Sequence, residues 1–389
     1  MTSSSESAVS VLLMALSSAS FTGESREGVI QIAQEATTSF RKARGDRYSA
    51  LVDRIVECIP TAALLPGTSV VKQRYRVKGK HGDVYEFDWG FGLDRGTYNH
   101  VHRAENVTVN GRPRTKSRAV VRRALRLDDY AREYFTETVI HAIINGLPNT
   151  ESFVPELYAP LRIRHDIYPK FSVCTLCEQM AAGDLTHLLD EESPAAANLT
   201  DGAMFSIMAQ LCAMLVVLQR DLTFQHRDLK PDNVATSLIH KATTHTYTSL
   251  PGVEIPSHGF RAVFIDFGMA RIELEDVYIA SDCVGAASPT TFNPSHDMQM
   301  LLAILAEDYL LSKERSAKFY KKFPKFAAWL DTATRKILKK IEVVKRKTKA
   351  GASASASAHR ITCNTCAAQQ LPDYHPQTLL NSLLEAMPK

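Results

Sequence analysis

Long apolar runs are scarce in this sequence: the only membrane-like stretch, AVSVLLMALSSA at residues 8–19, is too short to span a bilayer and follows Glu6 rather than a Lys or Arg. It reads as a short helix packing on the body, and no membrane partner is expected. Cysteines number seven, an odd count, at Cys58, Cys174, Cys177, Cys212, Cys283, Cys363 and Cys366. They are scattered through apolar contexts, which excludes a disulfide framework and points to reduced thiols in an intracellular protein, cytoplasmic or nuclear. In that setting the Asn-x-Thr sequons at Asn106 and Asn198 have no glycosylation role. An excess of one charge is also missing. The net charge of +4 does not by itself predict nucleic-acid binding, because the basic residues would have to cluster to create a useful field; no nucleic-acid partner is expected. Cys363-x-x-Cys366, with His359 and His375, has half of a zinc-site spacing but no second pair at a usual interval. No internal repeat is visible.

What is present is an ordinary globular composition, 45% hydrophobic and 23% charged over 389 residues. That length supports one large two-lobed domain or two ordinary ones, with a substantial core. Apolar positions at Val29, Ile30, Ala33, Ala36 and Phe40, then at Leu51, Val52, Ile55, Val56 and Ile59, predict a helical N-terminal extension over residues 1–66. Short β-rich runs such as TSVVKQRYRV and DVYEFDWGFG follow, punctuated by Gly, Asn and Asp. Helical patterns return after Asp128, in DDYAREYFTETVIHAIIN, FSIMAQLCAMLVVLQRDL and DMQMLLAILAEDYLL. AGASASASA, residues 350–358, reads as a flexible linker, and a tail at 359–389 ends in a short amphipathic helix. The order is a small sheet lobe and then a larger helical lobe, an α+β protein expected to be a monomer.

The chemistry concentrates in two segments, FQHRDLKPDNVA at 224–235 and VFIDFGMAR at 263–271. Phosphoryl transfer asks a protein mainly to position an acceptor and compensate phosphate charge. Asp228 suits acceptance of a hydroxyl proton, and Lys230 suits the transferring phosphate. Asn233 and Asp266 supply the oxygen ligands that Mg²⁺ prefers.

These segments resemble the catalytic loop and the Asp-Phe-Gly motif of eukaryotic-type serine/threonine protein kinases. The resemblance implies a bilobal protein-kinase-like fold, with a small antiparallel β-rich N-lobe at 67–180 and a mainly helical C-lobe at 181–349. It implies ATP and Mg²⁺ as cofactors and protein substrates with Ser or Thr acceptors, the Lys at position 230 being the serine/threonine pattern. TLCEQMAAGDL, residues 175–185, resembles the hinge, with Cys177 as gatekeeper, Glu178 and Met180 as backbone contacts for adenine, and Asp184 as a ribose neighbour. Glu137 stands where the helix C glutamate would be. Asp297 resembles the buried aspartate that anchors the catalytic loop, although Ser295 or Asp297 would serve equally as a helix N-cap.

The pattern breaks in the nucleotide-gripping part. LDRGTYNHVHRA, residues 93–104, keeps Gly96 and the apolar roof Val101, while Asp94 and Asn99 stand at the other glycine positions. The preceding Gly-Phe-Gly at 90–92 reads as a turn. The strand 3 lysine is replaced by Arg122, or by Arg123 in the neighbouring register; Arg keeps the charge but not the compact ammonium, so reduced activity is expected. No Ala-Pro-Glu follows Arg271. Asn233 to Asp266 spans about twenty residues more than the usual kinase hairpin, and IPSHGFRAVFIDFGMARI, residues 255–272, is similar to kinases encoded by large DNA viruses. The alternative function is a pseudokinase, a nucleotide-binding or scaffold module. RKILKKIEVVKRKTK, residues 335–349, places Ile337, Leu338, Ile341 and Val344 on one helical stripe opposite Lys and Arg. That face is a solvated outer surface, or its last residues are a nuclear-import or acidic-partner patch.

Overall fold

The structure, a computed structural model, describes residues 62–65, 73–79, 82–95, 99–114, 118–124, 131–147, 149–164, 171–274, 277–280, 292–351 and 372–388. They divide into two compact units. One holds the chain up to Gln179 with Asp266–Gly268 and Ile272–Ser281; the other holds Met180–Ile265, Met269–Arg271 and Asp282–Lys389.

The first unit is built on one antiparallel sheet. Its strands are β1 (Ala63–Leu64), β2 (Arg74–Lys78), β3 (Val84–Arg95), β4 (Asn99–Val109), β5 (Arg112–Pro113), β6 (Ala119–Ala124), β7 (Leu157–Arg164) and β8 (Phe171–Glu178), in the order β1-β2-β3-β4-β6-β8-β7 with β5 beside β4. Alternation explains why these residues form strands. In β2, Tyr75 and Val77 point into the core while Arg74, Arg76 and Lys78 face out. In β3, Tyr85 and Phe87 are buried and Glu86 and Asp88 lie on the other face. The register sets Arg76 opposite Glu86 and Arg74 opposite Asp88, and both pairs make ion pairs, at 2.5 and 3.3 Å. Cross-strand pairs of this kind contribute roughly 0.2–1 kcal/mol each. One helix, α1 (Ala131–Gly146), completes the unit's core with the fully buried Ile140, Ile143 and Ile144.

Three expectations change here. Of the helical extension predicted for residues 1–66, only 62–65 are described. Ala63 and Leu64 form a strand there, because β2 offers an open edge at Arg76 and Tyr75; the rest of the extension lies outside the described residues. Gly-Phe-Gly at 90–92 is not a turn but the interior of β3, with bulges on either side of Gly92. The glycine at 90 is required by close approach, since a Cβ there would lie 2.7 Å from the Arg103 carbonyl oxygen. Gly90→Ala is therefore expected to cost about 1–3 kcal/mol in thermal or denaturant unfolding. Gly92→Ala, with nothing within 4 Å of its Cβ, is expected to be close to neutral. The third change is a second long apolar segment: Asp201–Leu222 is long and apolar enough to cross a membrane, but 89% of its most apolar window is buried inside the protein. A helix apolar on all sides is what a core position selects.

That segment is the central helix of the second unit. The elements of this unit are β9 (Gly183–Asp184), α2 (Leu185–Leu189), α3 (Asp201–Leu222), β10 (Val234–Leu238), β11 (Thr244–Thr246), β12 (Glu254–Pro256), β13 (Phe260–Phe264), α4 (His296–Leu305), α5 (Ser316–Lys322), α6 (Pro324–Gly351) and α7 (Pro376–Ala386). A hairpin, β14 (Arg271–Leu274) with β15 (Val277–Ala280), follows the Asp-Phe-Gly segment. Thr200 caps α3 by accepting the Ala203 N–H at 3.2 Å, and the helix stops at Thr223, whose φ of 44° is left-handed. Buried Gln210 of α3 accepts the Ala262 N–H at 2.9 Å and donates to the Phe260 carbonyl at 3.0 Å. Its amide thus plays the part of a neighbouring strand for β13, which otherwise ends the order β13-β10-β9 as an open edge. Asp201 accepts the N–H groups of Lys325 and Phe326, capping the start of α6 from another helix. The tail docks as well: Tyr374 donates to the Ala333 carbonyl at 2.7 Å, and Trp329 of α6 donates to the Ser382 hydroxyl of α7 at 3.0 Å. α6 continues through residues 350 and 351; the remainder of the predicted linker, with Cys363 and Cys366, lies outside the described residues.

Candidate active site

Asp297 organises the loop that carries Asp228. It is fully buried in the first turn of α4, and its two carboxylate oxygens accept the backbone N–H groups of His226 and Arg227, each at 2.8 Å. Ser295, the alternative cap, makes no side-chain capping bond. Arg227 has a φ of 69°, a conformation that costs a non-glycine residue strain, and the bonds to Asp297 hold it there. Gln225 brackets the loop on the other side, exchanging two backbone hydrogen bonds with Arg271 at 3.0 and 2.8 Å. His226 donates from Nε2 to the Ile265 carbonyl at 2.9 Å.

On this frame the structure brings together Asp228, Lys230 and Asn233. Pro231–Asn233 forms one 3₁₀ turn, closed by the Asn233 N–H to the Lys230 carbonyl at 2.9 Å. The Asn233 Nδ2 group donates to both the Asp228 carbonyl, at 2.8 Å, and Asp228 Oδ2, at 3.0 Å. Two acceptors on one side fix the amide orientation and direct Oδ1 away from Asp228. Lys230 Nζ lies 3.4 Å from Asp228 Oδ2, and neither side chain is sealed off, with 28% and 22% exposed. The pairing of β10 with β13 sets Val234 opposite Phe264, and the Asn233 carbonyl accepts the Ile265 N–H at 3.1 Å. Asp266 follows by one peptide bond, with a φ of 63°.

Asp266, Phe267 and Gly268 group with the first unit, where the Phe267 ring lies 6.0 Å from that of His141. His141 is one turn beyond Glu137 on α1. Burial pushes its pKa down to about 4, so it is neutral and donates from Nε2 to the Pro155 carbonyl at 2.7 Å. Glu137, 5% exposed, forms an ion pair with Arg122 of β6. This selects Arg122 as the partner of Glu137; the side chain of Arg123 lies outside the described residues. Strand register places Val101 of β4 and Thr175 of β8 on either side of Arg122, and Cys177 opposite Val120. Burial pushes the Cys177 thiol up to about 12, which leaves it a small apolar wall rather than a nucleophile.

The hinge residues divide at Gln179/Met180 between the units. The Glu178 N–H donates to the Glu156 carbonyl at 2.8 Å, and the Met180 carbonyl accepts the Gly183 N–H at 3.2 Å. Asp184, expected as a ribose neighbour, has a structural role in the fold. It caps α2 by accepting the His187 N–H at 2.9 Å, with His187 Nδ1 at 2.7 Å, because a carboxylate at that position satisfies the open N–H groups of a helix start. Gly96 lies outside the described residues. Sequence reasoning missed Gln210 and Gln225: an isolated Gln in an apolar run has no motif, and only the strand edge beside it reveals its use. Among the described residues no group of three or more His, Cys, Asp or Glu side chains could hold a metal ion.

No family model matches the chain. Mouse serine/threonine-protein kinase haspin is 29% identical over 140 residues, which is 35% of this chain and 17% of haspin's length. The BubR1 kinase domain superposes with a TM-score of 0.38 at 13% identity, over 60% of this chain and 62% of that one. Neither supports the likeness to kinases of large DNA viruses. The chain is similar in sequence to a protein kinase, over about a third of its own length.

Proposed function

We propose that this protein transfers the γ-phosphoryl group of ATP to Ser or Thr hydroxyls of protein substrates. The observation that carries the proposal is the Asp228–Lys230–Asn233 cluster on a loop whose backbone is tied to buried Asp297. Asp228, oriented by Asn233 Nδ2, accepts the proton of the incoming hydroxyl. Lys230 offsets charge as the phosphoryl group moves between oxygens. Asn233 Oδ1 and the Asp266 carboxylate would hold Mg²⁺, an all-oxygen donor set suited to an ion that completes its shell with phosphate and water, and bound Mg²⁺ neutralises charge on the phosphates. Arg122, held by Glu137, would supply a cation for the phosphates, Val101 and Cys177 would wall the adenine, and the Met180 N–H and Glu178 backbone would bind its edge. Ser/Thr acceptors are favoured on the strength of Lys230 and of the similarity to haspin.

Incubation with γ-labelled ATP, Mg²⁺ and a general protein acceptor tests this, with acid hydrolysis to identify the phosphorylated residue. Label on Ser or Thr is expected. Saturable ATP binding without label would favour the scaffold reading, which the Arg at position 122 recommends. Arg122→Lys is expected to raise turnover by about 3- to 10-fold, since a compact ammonium fits between phosphate oxygens and Glu137 better than a planar fork. Steady-state kinetics in ATP would detect this, and a loss of turnover would show that the site is built around the guanidinium.

A further inference from the structure

Positive charge is segregated in this chain. Residues 313–351 contain 14 Lys and Arg against 3 Asp and Glu, whereas the rest contains 32 against 39. The mild net charge therefore conceals a basic segment on an otherwise acidic protein. The segment folds as α5, with its preceding turn, and the 28-residue α6. Part of its charge is neutralised at home. Arg315 pairs with Asp190 at 3.2 Å, Lys322 with Glu191 at 2.9 Å, Arg335 with Asp331 at 3.0 Å and Lys336 with Asp373 at 2.6 Å. Lys313, Lys321, Lys325 and Lys339 are exposed and make no ion pair among the described residues, and Lys318 is exposed beside them. Acidic residues near them include Glu314 and Glu342, both exposed, Glu191, already held by Lys322, and Asp201, whose carboxylate accepts the Lys325 and Phe326 N–H groups.

On α6 the exposed positions form one stripe, which carries Lys325 and Lys339 with Lys336, already paired with Asp373, between them. Lys325, Ala328, Thr332, Lys336 and Lys339 follow at helical spacings of three and four, and all are exposed. A helix of this length extends about 42 Å, and its backbone continues through residues 345–349, where the sequence adds four more cations. We propose that the solvent face of α5 and α6 docks double-stranded DNA through its phosphate backbone, without sequence preference. Duplex DNA presents a regular line of negative charge, about one per 1.7 Å, that a line of cations matches. The free cations are lysines, which meet phosphates as point charges rather than reading base edges as Arg forks do. A single-stranded ligand would need aromatic platforms, and Tyr320 is the one aromatic residue exposed on this face. A membrane would need a row of large apolar side chains to insert, whereas the exposed ones here are Leu311 and Tyr320, and Ala328 and Thr332 stand between the lysines of α6.

The test is fluorescence anisotropy of the full chain with a labelled 20-base-pair DNA of arbitrary sequence, titrated across salt. Binding is expected to fall steeply with salt. In the quadruple variant Lys313→Gln, Lys321→Gln, Lys325→Gln, Lys339→Gln, affinity is expected to drop by about 10- to 100-fold, and the slope of log affinity against log salt to become shallower by about 3 to 4. Lys78→Gln, an exposed lysine of the first unit, is expected to change neither, and an unaltered unfolding midpoint shows that the quadruple variant is folded. No binding by the wild type, equal binding by the quadruple variant, or an equal loss from Lys78→Gln overturns the proposal. So does tighter binding to single-stranded DNA, double-stranded RNA, poly-glutamate or phosphatidylserine vesicles than to duplex DNA.

Discussion

Asp228→Asn is expected to lower phosphoryl transfer by about 10²- to 10⁴-fold, the range a positioned general base supplies, while leaving the fold unchanged. The substitution keeps the side chain's shape. It removes the carboxylate that the proposed reaction uses to take the hydroxyl proton and dissolves the ion pair with Lys230, 3.4 Å away. The turn survives, because the Asn233 Nδ2 group still donates to the backbone carbonyl of residue 228 at 2.8 Å. The loss belongs in kcat, with KM for ATP little changed, since the carboxylate acts on the acceptor and not on the nucleotide. Single-turnover transfer of label from ATP, wild type beside variant, measures it. Equal rates would remove Asp228 from its role, whatever else binds ATP.

The second large effect is on stability. Asp297→Ala leaves the N–H groups of His226 and Arg227 without their acceptors in a fully buried place, at about 1–3 kcal/mol for each, and is expected to cost roughly 2–5 kcal/mol in denaturant unfolding. Arg227 would then relax from its left-handed φ of 69°, displacing the neighbouring Asp228, so activity should fall with stability. Asp297→Asn keeps one acceptor oxygen and is expected to lie between. The pH dependence has a definite sign. Burial pushes the Asp297 carboxyl up, but the hydrogen bond from His296, the charges of His296 and His226 and the His226 N–H outweigh it and hold the group below the usual carboxylate range. A carboxyl depressed in the folded state contributes stability that is present above its unfolded pKa and is lost as pH falls through the folded one. Asp297→Ala should therefore erase the part of acid unfolding that occurs below the ordinary carboxylate range, and unfolding midpoints measured against pH would reveal it. An acid limb unchanged in the variant would count against the assignment.

Asp228, Lys230 and Asn233 were legible in the sequence because their relation is local. A Pro-led turn of three residues brings them together, and no distant register has to be known. The buried Asp297 was legible only as an alternative between cap and anchor, since the same residue type serves both. Arg122 was ambiguous with Arg123 for a physical reason: strands turn successive side chains to opposite faces, so a slip of one residue exchanges the two. The ion pair with Glu137 shows that Arg122 turns toward that carboxylate. Gly90 was misread because a glycine signals both a turn and a close backbone approach. The exposed cations of α5 and α6 were visible one by one, but which of them stay exposed depends on how the two helices pack.

The ladder from Val234↔Phe264 to Leu238↔Phe260 is complete before the chain departs on its excursion through residues 239–259. Five matched rungs clamp the two ends of that excursion, and the chemistry-bearing residues lie below the clamp. Lengthening such a loop costs only about 0.6 kcal/mol for each doubling. Residues added at the exposed tip of the excursion, around Gly252, are therefore expected to leave Asn233 and Ile265 in place.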